Sequence, residues 1–334
     1  MEQLKLNRLP APTFGWLNVN RITAEIPHPA YAEPEIAAPA GIIAEKTQCA
    51  AETVSETAQP FADYLAAHEI PCCTVSGSAA EAVRIRCTES GTARLRIAVP
   101  AGGQMTVIMR FDAESTALLT EIQAADDAQI HLIQVICGGQ NLNEISAKLA
   151  DRARLSLTQI DLGGTQTGGI TAELCGDDAA LDAGIGYLLR GSDRLDLSLN
   201  AIHLGRQSTS DLDVKGVLRG QAQKVFRGTI DFRKGSAGAR GAEREDVLLM
   251  NPGVRNQTVP LILCAEEDVD GTHGASVGRL DDRHVFYLQS RGIPQEKIYE
   301  IMAQSKLNSI ISRIGDRETE QELNRILHKE DADA

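Results

Sequence analysis

The sequence predicts a mainly β protein whose strands bury one face, followed by a small helical region. Three observations lead there. From about residue 79 to about residue 250, apolar and polar residues alternate, as in Val83-Arg-Ile-Arg-Cys87, Ala93-Arg-Leu-Arg-Ile-Ala-Val99 and Gln129-Ile-His-Leu-Ile-Gln-Val135. Successive strand residues point to opposite faces, so a period of two marks strands with one face in a core. The separators between these runs are mostly too short for crossover helices, which argues against a doubly wound α/β fold. After Asp281 the apolar spacing becomes helical.

The elements follow in chain order. The opening holds Leu9, Pro10, Pro12 and the single tryptophan, Trp16, then Pro27, Pro29, Pro34 and Pro39, which disfavour long regular elements before about residue 40. Residues 56–68 read as a short helix, with Phe61, Tyr64 and Leu65 on one face and Ile70-Pro71 stopping it. Within the β-rich stretch a weak repeat appears: Leu149 to Leu157, Leu174 to Leu181 and Leu218 to Val225 each read as strand, tight polar turn, small residue, strand. The first two lie about 25 residues apart, the length of one unit of a β-solenoid. Hairpins in a sandwich give the same alternation, so periodicity leaves solenoid and sandwich level. Residues 282–291 end at Gly292, a helix C-terminal signal, and residues 294–314 form a second helix with Pro294 in its first turn. Residues 319–329 suggest a last polar helix, and the acidic tail beyond it reads as disordered. The expected division is an N-terminal segment at 1–78, a β core at 79–281 and a helical subdomain at 282–330.

Composition narrows the function. The 334 residues are 43% hydrophobic and 24% charged, which is ordinary for a globular chain, but only 4% aromatic, which is low and leaves a core built mostly from Ala, Val, Ile and Leu. A formal net charge of −13, with scattered basic residues, gives no electrostatic basis for nucleic-acid binding. Seven cysteines (49, 72, 73, 87, 137, 175 and 264) form no regular pattern. The opening lacks the charged-then-apolar order of a secretory signal, and no stretch approaches the ~18 apolar residues of a membrane helix. A cytoplasmic protein with reduced thiols is expected, with no membrane association and no permease role.

The common catalytic motifs are absent. Lys234 to Gly241 lacks the lysine of a phosphate loop, and Gly163-Gly-Thr-Gln-Thr-Gly-Gly169 reads as a turn between coils rather than a dinucleotide fingerprint. Cys72 and Cys73 are adjacent and on a strand would face opposite ways, so they are not joint ligands of one ion. Asp177-Asp178 and Asp281-Asp282 read as turn residues. His273 remains, in the glycine-rich Val269-Asp-Gly-Thr-His-Gly-Ala-Ser-Val-Gly278, where small neighbours leave the imidazole accessible. A neutral imidazole ligates transition metals, but a lone histidine in a glycine-rich turn is more often structural or merely exposed than a ligand.

Several ordered motifs resemble the SufB/SufD family of the SUF iron–sulfur cluster assembly system, with SufD the nearer match. They are Asp246-Val-Leu-Leu-Met250, the His273 segment, Phe286-Tyr-Leu-Gln-Ser-Arg-Gly-Ile293, and upstream Ser208-Thr-Ser210, Lys215-Gly-Val-Leu218 and Val225-Phe-Arg-Gly-Thr-Ile230. The strong part spans about residues 208–311; Leu9 to Trp16 resembles the family's opening. The resemblance implies a right-handed parallel β-helix (β-solenoid) core with a C-terminal helical subdomain. It implies a non-catalytic scaffold that pairs with a SufB-like paralogue and docks a SufC-type ABC ATPase, here through Phe286, Tyr287, Arg291, Gly292 and the helix carrying Ile298. His273 would be the candidate cluster ligand, and the only metal-ligating one. An iron–sulfur cluster needs about four ligands, mostly thiolates, so the chain would hold none stably alone and would share one transiently in the complex. Flavin binding, and a homodimer formed in isolation, are left open. The sequence departs from the family at Gly271, where the motif has Cys, at Gly274, where SufB has Glu, and at Glu245, where SufB has a functional Cys. Cys264, in an apolar run, reads as a core residue. Two other readings compete: a SufB-like subunit carrying the cluster itself, and a β-helix protein acting on polysaccharides, which would need an exposed carboxylate pair.

Overall fold

The computed structural model describes residues 3–47 and 54–329. Cys49 and the acidic tail from residue 330 lie outside the described residues. In chain order the elements are β1 (Gln3–Leu6), β2 (Ile22–Glu25), β3 (Glu35–Ala37), β4 (Ile42–Thr47), α1 (Gln59–Ala67), β5 (Cys72–Gly77), β6 (Val83–Cys87), β7 (Gly91–Val99), β8 (Gln104–Phe111), β9 (Ser115–Ala124), β10 (Gln129–Cys137), β11 (Gln140–Leu149) and β12 (Arg154–Leu162). They continue as β13 (Thr165–Leu174), β14 (Ala180–Leu189), β15 (Arg194–His203), β16 (Thr209–Leu218), β17 (Gln223–Phe232), β18 (Ala239–Leu249), β19 (Arg255–Cys264), β20 (Val269–Arg279), α2 (Asp282–Ser290), α3 (Gln295–Ile311) and α4 (Arg317–Lys329).

From Cys72 onward the chain winds as a parallel β-solenoid of about eight turns. Odd strands β5 to β19 stack in sheet I and even strands β6 to β20 in sheet II, with the short antiparallel β4 and β3 closing the N-terminal edges. The alternation thus belongs to a solenoid, not a sandwich. The repeat is explained by the corners. At four successive passages from sheet I to sheet II, Asp127, Arg152, Asp178 and Gln207 adopt φ between 54° and 60°, and Ala128, Ala153, Ala179 and Ser208 follow them, fully buried. The amide of each left-handed residue donates to a carbonyl of the next turn (Asp151, Asp177, Arg206 and Ala237, at 2.8–3.0 Å). That stacking bond offsets the roughly 1–2 kcal/mol which a side chain costs in this backbone region. A residue larger than Ala or Ser would clash where turns stack this closely. The third repeat, around Leu218, sits at the opposite corner, between sheets II and I. Gly163 and Gly164, both at φ +83°, make the same kind of corner between β12 and β13.

Each sheet's outer face is covered differently. On sheet I, β1, β2 and α1 pack Leu4, Leu6, Phe61, Tyr64 and Leu65 over Ala117, Leu119 and Leu142. Further along, the buried Arg227 clamps the N-terminal segment by donating to the Val19 carbonyl (2.5 Å) and to Asp196 (2.6 Å), which also accepts from Asn7 (2.6 Å). On sheet II, α3 buries Leu307, Ile310 and Ile311 against Ile133, Val135, Ile160, Leu188 and Val217. Gly186 permits this contact: a Cβ there would lie 2.9 Å from Ile160 Cδ1 and 3.2 Å from Leu307 Cδ2. Arg313 to Asp182 (2.7 Å) and Lys306 to Asp246 (2.5 Å) border the seam. No helix among the described residues is long and apolar enough to cross a membrane.

Candidate site at the open end of the solenoid

The site begins with the parity of β18. Side chains at 239, 241, 243, 245 and 247 point into the solenoid: Ala239 and Val247 belong to the interior core, and a Cβ on Gly241 would meet Ile230 of the opposite sheet. Glu243 and Glu245 therefore face inward, and each is 2% exposed. The next strand, β20, follows the same parity, with Glu243 opposite His273 and Glu245 opposite Ala275 in register. Gly271, two residues before His273, faces inward against Phe232 and Ile262. His273 thus lies on the interior face of the last turn, yet it is exposed, because no further turn covers it. The glycine-rich segment around His273, expected from sequence to be a turn, is a strand in register with β18.

One layer below, charge is enclosed. The Glu245 carboxylate accepts from Lys224 Nζ, from Thr258 Oγ1 (2.6 Å) and from the Tyr187 hydroxyl (3.3 Å); Lys224 also donates to Thr258 Oγ1 (2.9 Å). Burial lowers the Lys224 pKa, and the adjacent Glu245 opposes that shift. Burial also raises the Tyr187 hydroxyl well above its ordinary value, with Glu245 reinforcing it. Glu243 has no such partners. Its Oε2 is buried without a hydrogen bond among the described residues, and its carboxylate lies against Gly228, whose missing side chain makes the room. Burial first, then repulsion from Glu245, pushes the Glu243 pKa up to about 7, with Lys224 pulling the other way. A second histidine is a useful contrast. His203 is buried, stacks on Phe232 at 4.8 Å, and is held at both ring nitrogens by Ser208 (2.8 Å) and Ser210 (2.9 Å). Burial lowers its pKa to about 4, so it is a neutral core residue.

The other residues singled out by the sequence fall in different places. Phe286 (72% exposed) and Tyr287 (54%) stand out from α2, which Asp281 caps by accepting from the Arg283 amide (2.9 Å). Arg291 lies over the Tyr287 ring at 5.2 Å, and Gly292 ends the helix at φ +83°. Ile298 is not with them. It is 1% exposed, because α3 turns its apolar side to the protein, so Ile298 is corrected from a surface contact to a packing residue. Cys264 is corrected in the opposite sense. It is exposed at the end of β19, since the last turn has nothing stacked on it, and its Sγ lies 3.0 Å from the Glu266 carbonyl. Cys72 and Cys73 are buried neighbours on β5, and Asp177 and Asp178 are corner residues, with Asp177 accepting from the Arg206 amide (2.8 Å). Among the described residues, no group of three or more His, Cys, Asp or Glu side chains gathers as a metal site.

Sequence reasoning misses the interior charges of β17 and β18. Both faces of β18 carry charge, Arg240, Arg244 and Asp246 on one and Glu243 and Glu245 on the other, so its parity is not readable. Gly228, a residue without a side chain directly before the β-branched pair Thr229-Ile230, is the available signal.

Known proteins resemble this chain over most of its length. Residues 84–333 match the family model described as SUF system FeS cluster assembly, SufBD core domain. The chain is 29% identical over 144 residues to the iron–sulfur cluster assembly protein SufD of Bacillus subtilis, covering 43% of this chain and 33% of that one. It is 29% identical over 132 residues to a SufBD family protein of Mycobacterium tuberculosis (40% of this chain, 16% of the other). It is 27% identical over 182 residues to another from Mycobacterium bovis (48% and 46%). The matched region spans less than half the length of each of these relatives. With the family model covering most of its length and a parallel solenoid beneath the match, the chain belongs to the SufB/SufD family of iron–sulfur cluster assembly proteins.

Proposed function

We propose that the chain is a SufD-like, non-catalytic scaffold subunit, pairing with a SufB-like paralogue through the open end of the solenoid and docking a SufC-type ABC ATPase through α2. The observation that carries the reading is the last turn. β19 and β20 are edge strands of two long sheets, and β20 is exposed along almost its whole length with His273 on its interior face. An uncovered edge strand offers unpaired backbone groups to another chain, and protein sheets seldom leave such an edge bare without a partner. A single imidazole does not hold an iron–sulfur cluster, so thiolates must come from that partner. At the position where SufB carries its functional cysteine, this chain has Glu245, already committed to Lys224, Thr258 and Tyr187. That supports the SufD-like role over the SufB-like one. Phe286 and Tyr287, large and exposed on a capped helix, suit a docking surface for the ATPase.

The test is native copurification of tagged chain from cells that also produce the SufB- and SufC-type proteins. Retention of both is expected, and retention of neither overturns the assignment. A His273→Ala variant that supports normal cluster maturation would remove the ligand role while leaving the scaffold role standing.

A further inference from the structure

We propose that Glu243 is a second metal-binding group of this chain, acting with His273 as a carboxylate–imidazole pair for one divalent iron at the open end of the solenoid. The proposal rests on the functional reading above only for the identity of the metal as iron. The pairing itself rests on register, burial and an unmet hydrogen-bonding need.

Glu243 and His273 are direct partners on adjacent parallel strands, so their backbones lie about 4.8 Å apart and their side chains project to the same interior side. Glu243 is 2% exposed, and its Oε2 has no hydrogen-bond partner among the described residues. An unsatisfied buried carboxylate oxygen costs about 1–3 kcal/mol or more, and the neighbouring Glu245 shows how such a group is satisfied in the same turn: a lysine, a threonine and a tyrosine converge on it. Nothing comparable reaches Glu243 Oε2. Gly228 has no side chain, and the carboxylate fills the space where its Cβ would be. Pro260 stacks over Gly228 in the final turn and has no amide hydrogen to offer. The remaining neighbour along the solenoid axis is His273, an exposed imidazole on a strand of small residues. Imidazole nitrogen and carboxylate oxygen together suit a divalent first-row metal. With two donors from this chain, open positions remain for water and for a partner's thiolates.

The test uses the purified full-length chain without oxygen, titrated with cobalt(II) chloride as a spectroscopic substitute for ferrous ion. Binding is followed by visible ligand-field absorption and by calorimetry. Uptake of one cobalt ion is expected, and Glu243→Gln and His273→Ala are each expected to weaken it by about tenfold or more and to change the spectrum. His273 is exposed, so its variant folds. Glu243→Asp, which keeps the charge but withdraws the carboxylate, reports on Glu243 if the Gln variant does not fold, and weaker binding than wild type is expected of it. The proposal is overturned if the wild-type chain takes up no cobalt, or if the folded Glu243 variants bind it as the wild type does. Retention of the SufB- and SufC-type partners by the same variants, measured separately, keeps this outcome distinct from failure of the scaffold role.

Discussion

Two neighbouring stretches of the solenoid interior solve the same packing problem with opposite chemistry. In β15 and β16 the inward side chains are mostly apolar, Leu197, Leu199, Ala201, Leu212 and Val214 among them, alongside the neutral His203 and Ser210. One turn later, in β17 and β18, the inward side chains include Lys224, Glu243 and Glu245, buried as deeply. The backbone is the same parallel ladder in both. Upstream, polar groups inside the solenoid include neutral pairs and a carboxyl: Gln134 accepts from Asn143 (2.7 Å), and Gln159 donates to Asp161 (2.9 Å), whose pKa burial pushes up to about 7, as it does that of Glu243. Enclosing full charges costs more than apolar packing returns unless every group is matched. Charge placed in the last covered turn, directly beneath an exposed histidine and an open edge, therefore points to use rather than to stability.

This contrast can be broken most strongly at the ion pair. Lys224→Met leaves Glu245 buried without its cation and is expected to destabilise the fold by about 3–5 kcal/mol; the double variant with Glu245→Gln should recover much of that loss, both read from chemical denaturation. If the single variant were as stable as wild type, the terminal turn would not be an enclosed charge site at all. In the apolar stretch, Leu199→Ala removes a fully buried side chain and is expected to cost about 2–5 kcal/mol, with no effect on partner retention. Next comes pH. Asp161 has its pKa raised from 3.8 to about 7 in the folded protein. The stability contributed by its protonated form is present below pH 3.8 and is lost as pH rises through about 7, on the order of 1 kcal/mol per pH unit within that window. Asp161→Asn should flatten the stability–pH curve there, and an unchanged slope would show that the upstream interior tolerates charge. The smallest stability effect is expected for Phe286→Ala with Tyr287→Ala. Both side chains are exposed, so stability should move by about 0.5 kcal/mol or less, while retention of the SufC-type ATPase in copurification should fall.

The parts of the fold legible in the sequence are those set by local period. The strands from Val83 onward, α1 with Phe61, Tyr64 and Leu65 buried, and α2 ending at Gly292 all follow from alternation, helical spacing and capping residues. The choice of solenoid over sandwich comes from family resemblance, because both architectures present one buried and one covered face to the same alternating strand. Several details are not legible for a physical reason. Cys264 and His273 sit on inward-facing strand positions yet are exposed, and only the absence of a following turn explains that. Ile298 carries the pattern of an amphipathic helix, and whether its apolar side meets a partner or the protein itself depends on where α3 lands.

By itself, the sequence determined that the chain is built from alternating strands with small corner residues, and that His273 lies in a run of small residues. Strand period acts between residues close in the chain, and the small corner residues show in the sequence because they recur once per turn. Only the tertiary structure decided which charged residues of β17 and β18 are enclosed, that Glu245 is satisfied while Glu243 is not, and that Glu243 lies beside His273. These facts depend on register between turns about 30 residues apart, and a one-residue shift of that register would send both glutamates to the outer face.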